Sequence, residues 1–199
     1  MKKSYDRAYF DRWYRDERTR VVERQDVERK ALLAVAAAEY FLGRPVASVL
    51  DVGCGEGAWQ PALAKLRPRA TYLGVDPSEY AVKRYGRRRN IRLGSFGALD
   101  EAGIEGPYDL VISVGVVNYL APKELASGLQ TIAAVANGVA FIEAFASGDE
   151  IEGDTVEWKW RKPSWWRDQF REAGLTPVGM HCYVAAGTRE TTVALERAE

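Results

Sequence analysis

The sequence predicts an α/β fold in which helices cover both faces of a doubly wound, mostly parallel, seven-stranded sheet. Short apolar runs alternate with segments of helical periodicity through most of the chain, which is the pattern of repeated βα units. The run at residues 49–52 shows no polar alternation, as expected of a parallel strand buried on both faces. Two late apolar stretches, residues 175–184 and 190–195, predict an antiparallel pair that closes the sheet.

The first 45 residues predict two helices that precede the sheet. The second of these spans residues 23–42, and Gly43 and Pro45 just beyond it are typical of a helix end. Aromatic side chains recur at helical spacing in the first, namely at Tyr5, Tyr9, Phe10, Trp13 and Tyr14. Such a stripe either docks on the core or forms a lid over a ligand pocket, with stiff apolar walls and polar tips.

Residues 46–199 predict the core of alternating strands and helices. The predicted strands are residues 47–52, 71–75, 90–93, 108–114 and 138–145. The predicted helices are residues 58–66, 79–85, 122–136 and 164–173. Pro61 suits the first turn of its helix, where a missing N–H costs little, and Ser78 is a plausible N-cap.

The totals indicate one soluble domain spanning residues 1–199. The chain has 199 residues, 47% of them hydrophobic, and 28 basic residues balance 28 acidic ones. This neutral balance disfavours a dedicated nucleic-acid binder. Two cysteines and one histidine provide no disulfide framework and predict no metal site. The free thiols, with no signal peptide and no apolar run near the ~20 residues needed to cross a bilayer, predict a cytoplasmic protein without a membrane segment.

A glycine-rich loop follows the first predicted strand, in the sequence Val-Leu-Asp-Val-Gly-Cys-Gly-Glu-Gly from Val49 to Gly57. Gly53 and Gly55 tolerate positive φ and let the backbone approach a ligand closely. The N-terminal amides of the next helix face the same place. These features predict a nucleotide-type cofactor site, and Gly53, Gly55 and Ala58 also satisfy the spacing of a dinucleotide-binding loop.

Two acidic residues argue against a dinucleotide as the cofactor. Asp51 and Asp76 lie at the ends of the first two strands, at the sheet edge where open α/β sheets bind ligands. An acid at Asp51 would repel a pyrophosphate. Tyr119 and Lys123 have dehydrogenase-like spacing, but Pro122 between them breaks the helical turn that such a pair needs. The two acids suit a ligand with a cationic group and a ribose but no phosphate, which is S-adenosylmethionine.

These motifs make residues 46–184 resemble the class I S-adenosylmethionine-dependent methyltransferases. The matching stretches are VLDVGCGEG, GVDPS, LGSFGALD, YDLVISVGVVNYL, FIEAF and WWRDQFREAGL. The resemblance implies a Rossmann-like core, with Asp76 on the ribose, Pro77 on the adenine ring, and Ser95 and the Phe96 amide at the adenine edge. Ser95 stands where family members usually carry an acid. The predicted cofactor-binding residues, lid included, are Tyr9, Tyr14, Asp51, Gly53, Gly55, Asp76, Pro77, Ser95, Phe96, Ser113 and Val114.

The methyl acceptor is less constrained. A general base is needed only if the acceptor must lose a proton, and the candidates are Tyr119, Glu143 and His181. The predicted substrate-binding residues are Trp13, Tyr119, Trp158 and Trp160. Tryptophans interleaved with cations in residues 158–166 suit a planar or anionic acceptor, although single-stranded RNA would also fit.

The resulting prediction is an enzyme that transfers a methyl group from S-adenosylmethionine, giving S-adenosylhomocysteine, to an O, N or C atom of a small aromatic or acidic metabolite. One alternative is a methyltransferase that acts on RNA or protein. A second is a scaffold protein that binds the cofactor without catalysis. The sequence predicts no oligomeric state.

Overall fold

The computed structural model describes residues 3–21, 23–190 and 192–193, with residue 189 described by its backbone alone. The strands are β1 (Ser48–Val52), β2 (Thr71–Asp76), β3 (Ile91–Leu93), β4 (Tyr108–Ser113), β5 (Ala136–Ile142), β6 (Leu175–Gly179) and β7 (Cys182–Ala185). They form one seven-stranded sheet in the order β3-β2-β1-β4-β5-β7-β6. Strand β7 is antiparallel to β5 and β6, and the other neighbours pair in parallel. The predicted fold class is confirmed.

Helices precede, connect and follow these strands. They are α1 (Arg7–Phe10), which continues as a π-helical turn (Asp11–Arg15), α2 (Arg24–Leu42), α3 (Trp59–Leu66), α4 (Glu79–Arg89), α5 (Pro122–Val135), α6 (Pro163–Glu172) and α7 (Ala186–Arg189). Gly43 ends α2 in a left-handed conformation, and Ser78 caps α4 through its side chain, both as predicted. In the described part of the chain, no helix is long and apolar enough to span a membrane.

The core has two layers, one on each face of the sheet, because successive residues of a strand point to opposite sides. Leu50 and Val52 belong to a buried cluster with the apolar faces of α5 and α6. Val49 belongs to the opposite cluster, which includes the inner faces of α2 and α3. Burial on both faces explains why β1 has no polar alternation, and it holds the carboxyl ends of β1, β2 and β4 in a fixed arrangement.

The prediction for the end of the chain was wrong in its details. Residues 175–184 were expected to form one strand, but the backbone turns back at Gly179, Met180 and His181, which all have positive φ. The antiparallel hairpin therefore forms within residues 175–185. The second expected strand, residues 190–195, begins with Glu190 directly after α7, and residues 191, 194 and 195 lie outside the described residues.

Helix α5 packs closely against Phe96, one of the predicted cofactor-binding residues, and this contact can be tested. A Cβ at Gly128 of α5 would lie 2.2 Å from both the carbonyl oxygen and a ring carbon of Phe96. We expect Gly128→Ala to lower the free energy of unfolding by about 1–3 kcal/mol, because the helix or Phe96 must move. Gly187→Ala is the control, since its Cβ would meet nothing within 4 Å. Urea denaturation of both variants measures the difference, and equal stabilities would contradict the close contact.

Candidate active site

A cavity of about 290 Å³ lies at the carboxyl ends of β1, β2 and β4. Every predicted cofactor-binding residue except Asp51 and Ser113 lines this cavity. Its walls are Tyr5, Tyr9, Phe10, Tyr14, Gly53, Gly55, Asp76, Pro77, Ser95, Phe96, Val114, Gly115, Val116, Tyr119, Leu120 and Glu124. A smaller cavity of about 90 Å³ shares Tyr14, Gly53 and Val114 with it and is lined by Asp51. Asp51 thus lies beside the main cavity, whereas Ser113 is fully buried at the end of β4.

Glycine is required at two positions of the loop after β1. Gly53 has φ +73°, and a Cβ there would lie 2.3 Å from the Val116 side chain. Gly55 has φ +54°, and its Cβ would lie 2.6 Å from the Tyr14 hydroxyl. Positive φ alone strains any other residue type. The loop therefore has the positive φ angles expected of its glycines, and Gly55 also makes room for an aromatic side chain of the N-terminal segment.

Asp76 is the polar centre of the main cavity. Its carboxylate accepts hydrogen bonds from the backbone N–H of Gly55 at 2.7 Å and of Ser78 at 2.9 Å. Burial raises the pKa of this carboxyl above its usual range, and these two hydrogen bonds oppose the shift. Each oxygen accepts one of them, so each keeps a lone pair for a further donor. That is the acceptor arrangement a ribose diol needs.

Asp51 is buried without a strong stabiliser of its charge. Tyr72 donates a hydrogen bond to its Oδ2 at 2.7 Å. Burial raises the pKa of the Asp51 carboxyl to about 7, the Tyr72 hydrogen bond lowers it, and the charge of Asp76 raises it further. A cationic group bound nearby would restore the ionised form. The pair of acids therefore fits a positively charged, ribose-bearing ligand, and S-adenosylmethionine is such a ligand.

The N-terminal lid, residues 3–21, covers the main cavity. Phe10 is 2% exposed and stacks on Tyr80, with ring centroids 5.6 Å apart. The Ser78 hydroxyl donates to the Tyr5 carbonyl at 2.5 Å. Arg15 pairs with the Glu56 carboxylate at 2.5 and 2.7 Å. Among the described residues, neither core cluster includes a side chain of this segment. The segment therefore walls the main cavity and also buries Phe10, and its action as a lid stays a prediction.

The structure brings one of the three candidate bases to the cavity. Tyr119 lines it, but its hydroxyl donates to the Asp154 carbonyl, and burial raises its pKa well above the usual range. Glu143 is 5% exposed and paired with Lys30 at 2.6 Å, outside both cavities. His181 lies in the exposed turn between β6 and β7, not in a strand as expected. No strong proton acceptor among these three faces the cavity.

The predicted substrate residues fall in different places. Tyr119 lines the cavity, and the Trp158 ring meets it edge-on with centroids 5.0 Å apart. Trp160 is 48% exposed and lies beside Trp158. The Trp13 ring lies against the Arg12 guanidinium, at 4.8 Å, and lines neither cavity. Of these four residues, Tyr119 alone lines the main cavity, and Trp158 packs against its ring.

Several wall residues were not predicted. Gly115 and Val116 follow β4 directly, so the end of that strand was a signal for them. Phe10 belongs to the aromatic stripe but was not assigned to the cofactor. Leu120 and Glu124 carry no local signal, because only the packing of the loop before α5 brings them to the cavity.

A family model described as a methyltransferase domain matches residues 10–178. The chain belongs to this family. The resemblance predicted from the motifs is thereby confirmed. Among curated relatives, the chain is 35% identical over 79 residues to a trans-aconitate 2-methyltransferase of Deinococcus radiodurans, covering 39% of this chain and 30% of that protein. It is 29% identical over 105 residues to an uncharacterised protein of Rickettsia prowazekii, covering 48% and 42%. The chain thus matches less than half the length of each.

Solved structures share the methyltransferase fold. Magnesium protoporphyrin IX methyltransferase from Synechocystis, with bound S-adenosylhomocysteine, has a TM-score of 0.59 and 19% identity and covers 90% of this chain and 92% of its own. An S-adenosylmethionine-dependent methyltransferase from Archaeoglobus fulgidus has a TM-score of 0.61 and 16% identity, covering 84% and 73%. The cofactor predicted for this chain is S-adenosylmethionine. Its product, S-adenosylhomocysteine, is bound in the Synechocystis structure.

The raised pKa of Asp51 has a consequence for stability. The unfolded carboxyl titrates near 3.9 and the folded one near 7, so between these pH values the folded state holds a proton that the unfolded state releases. The free energy of unfolding contributed by Asp51 therefore falls as the pH rises from about 4 to about 7. We expect the stability of Asp51→Asn relative to the unmodified protein to increase across this window and then level off. Urea denaturation at several pH values measures it, and a pH-independent difference would contradict the burial of an uncompensated carboxyl.

The lid makes a separate prediction. A chain that begins at Thr19 loses four aromatic walls of the main cavity but no member of either core cluster. We expect it to fold and to bind S-adenosylmethionine at least about tenfold more weakly, since a tenfold loss corresponds to only ~1.4 kcal/mol of contacts. Circular dichroism and calorimetric titration measure the two properties. Global unfolding of the shortened chain would instead support docking on the core.

Proposed function

We propose that this protein transfers a methyl group from S-adenosylmethionine to a small aromatic molecule, at an O, N or C atom. The observation that carries the proposal is Asp76, buried at the end of β2, with one further acceptor position open on each carboxylate oxygen. It lies beside a loop whose glycines leave room for a ligand against the backbone. Family membership supports the same activity.

Different residues of the cavity would bind different parts of S-adenosylmethionine. Asp76 would accept the ribose hydroxyls, and Pro77 and Phe96 would enclose the adenine ring. Asp51, in its ionised form, would attract the positive end of the methionine moiety. When bound, S-adenosylmethionine supplies an electrophilic methyl group on a sulfonium. The lid excludes water and holds the acceptor near attack geometry, which can account for much of the acceleration without a general base.

The surroundings of the cavity favour an aromatic acceptor over an acidic one. Tyr119 provides an aromatic wall of the main cavity, and Trp158 packs edge-on against that ring. Arg161, one of the cations expected to hold an acid, is already engaged, since it stacks on Trp165 at 4.1 Å and donates to the Leu120 carbonyl. The carboxylates of Asp76 and Glu124 line the cavity itself.

An RNA acceptor has one observation in its favour. Arg87 and Arg88 are exposed in the last turn of α4, whereas Arg89 is partly withdrawn and donates to the Glu56 carbonyl. If RNA is bound, the affinity must fall steeply with salt and disappear when Arg87 and Arg88 are neutralised. If RNA binding is absent or independent of salt, the small-molecule acceptor is favoured.

Titration of the cofactor tests the proposed function directly. We expect Asp76→Asn to bind S-adenosylmethionine about 10- to 100-fold more weakly, because hydrogen bonds to a charged group contribute about 1.5–3 kcal/mol. The amide keeps an oxygen for one of the backbone N–H groups, so the loop retains part of its support. Asp100→Asn is the control, an exposed acid that lines neither cavity. Equal affinities of the two variants, or no binding by the unmodified protein, would refute the proposal. Binding without transfer to any acceptor would support the scaffold alternative.

A further inference from the structure

The ammonium of Lys3 is enclosed by aromatic rings. Its Nζ lies 3.7 Å from the ring centroid of Tyr119, 5.4 Å from that of Tyr9 and 5.6 Å from that of Tyr5. Its charge is paired with Asp154, whose Oδ2 is 2.5 Å away, and the two side chains are only 8% and 9% exposed. Aromatic faces and a carboxylate around a desolvated cation are the arrangement that recognises an organic ammonium. We call Tyr5, Tyr9, Tyr119 and Asp154 the ammonium cage.

The cage adjoins the cofactor cavity, because its three tyrosines are also walls of that cavity. The Tyr119 hydroxyl donates to the Asp154 carbonyl, which holds the acidic residue beside the ring. Trp158 packs edge-on against Tyr119 and extends the aromatic surface. A molecule bound beside the cofactor can therefore reach the cage directly.

The charges around the ammonium cage favour a bound cation. Burial raises the pKa of Tyr5 to about 12, and the carboxylates of Asp76, Asp154 and Glu157 contribute to the same shift. The cage tyrosines consequently stay neutral donors of a π-face at physiological pH. Lys3 supplies the compensating charge from residues 3–5, which belong to no helix or strand. It reaches the cage on a long flexible side chain, so another ammonium can replace it without disturbing the sheet.

We propose that the ammonium cage binds a cationic group of the methyl acceptor and that Lys3 fills the cage when the acceptor is absent. This inference rests on the proposed function and names its substrate class, an aromatic small molecule that carries a protonated amine. The caged ammonium has no free electron pair, so it anchors the acceptor and a different atom receives the methyl group. Lys3 is then a tethered competitor, and its removal increases the fraction of protein that can bind the acceptor.

Two probes of the same size and opposite charge test the proposal. Tyramine and 4-hydroxyphenylacetate share a phenol ring, but one ends in an ammonium and the other in a carboxylate. Calorimetric titration in saturating S-adenosylhomocysteine is expected to show tyramine binding at least about tenfold more tightly than the acid. Lys3→Met keeps the chain length, removes the charge, and should tighten tyramine binding about tenfold. Asp154→Asn in the Lys3→Met background should abolish that gain.

Control variants separate charge from fold and from space. Lys3→Gln repeats the test with a polar side chain, and Lys83→Met, an exposed lysine of α4, should change neither affinity. The proposal is overturned if both Lys3 variants leave tyramine binding unchanged, or if they tighten tyramine and the acid equally. The same titrations report S-adenosylhomocysteine binding. Cofactor binding without a preference for tyramine refutes the cage alone, whereas no cofactor binding refutes the proposed function.

Discussion

The hydrogen bond from the Gly55 N–H to the Asp76 carboxylate, at 2.7 Å, connects the parts of the site. It joins the loop after β1 to the end of β2, and it compensates for part of the cost of burying an acid. Gly55 directs its N–H this way at a positive φ that other residue types avoid. Because Gly55 has no Cβ, Tyr14 of the lid can lie directly on the loop. One residue therefore couples the glycine-rich loop, the buried Asp76 carboxylate and the N-terminal segment.

Charge is distributed unevenly around this connection. Burial raises the pKa of both Asp51 and Asp76, because the charged form of a carboxyl is poorly solvated there, and the charge of Asp76 raises the pKa of Asp51 further. Lys30 is held by Glu143, and Arg15 is held by Glu56 on the outer side of the loop. A positively charged ligand would offset these carboxylates, whereas a pyrophosphate would add negative charge beside them. The same argument extends to the cage, where a single lysine offsets the local carboxylates.

The sequence predicts best where a residue's role is set by its immediate neighbours. Strands β1 to β5 were placed to within three residues at each end, because burial on both faces leaves continuous apolar runs between clear breaks. The tight loop at Gly53 and Gly55 and the place of Asp76 at the end of β2 were predicted because backbone conformation and strand-end position are local properties. The turn at Gly179, Met180 and His181 was missed, since two of the three residues that adopt positive φ there are not glycine. Leu120, Glu124 and the partners of Lys3 come together only through tertiary packing, which no spacing in the sequence records.

The contacts of the lid differ in strength along its length, and this difference bears on how ligands enter. Near residue 15, a two-oxygen contact between Arg15 and a buried Glu56 holds the lid to the loop. Near residues 3–5, it is held by the Lys3–Asp154 ion pair, by the contact of the Lys3 ammonium with the Tyr119 ring and by one hydrogen bond to the Tyr5 carbonyl. The contacts of the Lys3 ammonium are ones that another ammonium can replace, whereas the Arg15–Glu56 contact is independent of them. An ammonium that takes over the bond to Asp154 would displace the Lys3 side chain, while Tyr5 and Tyr9 stay as walls of the cage and Phe10 and Arg15 stay in place.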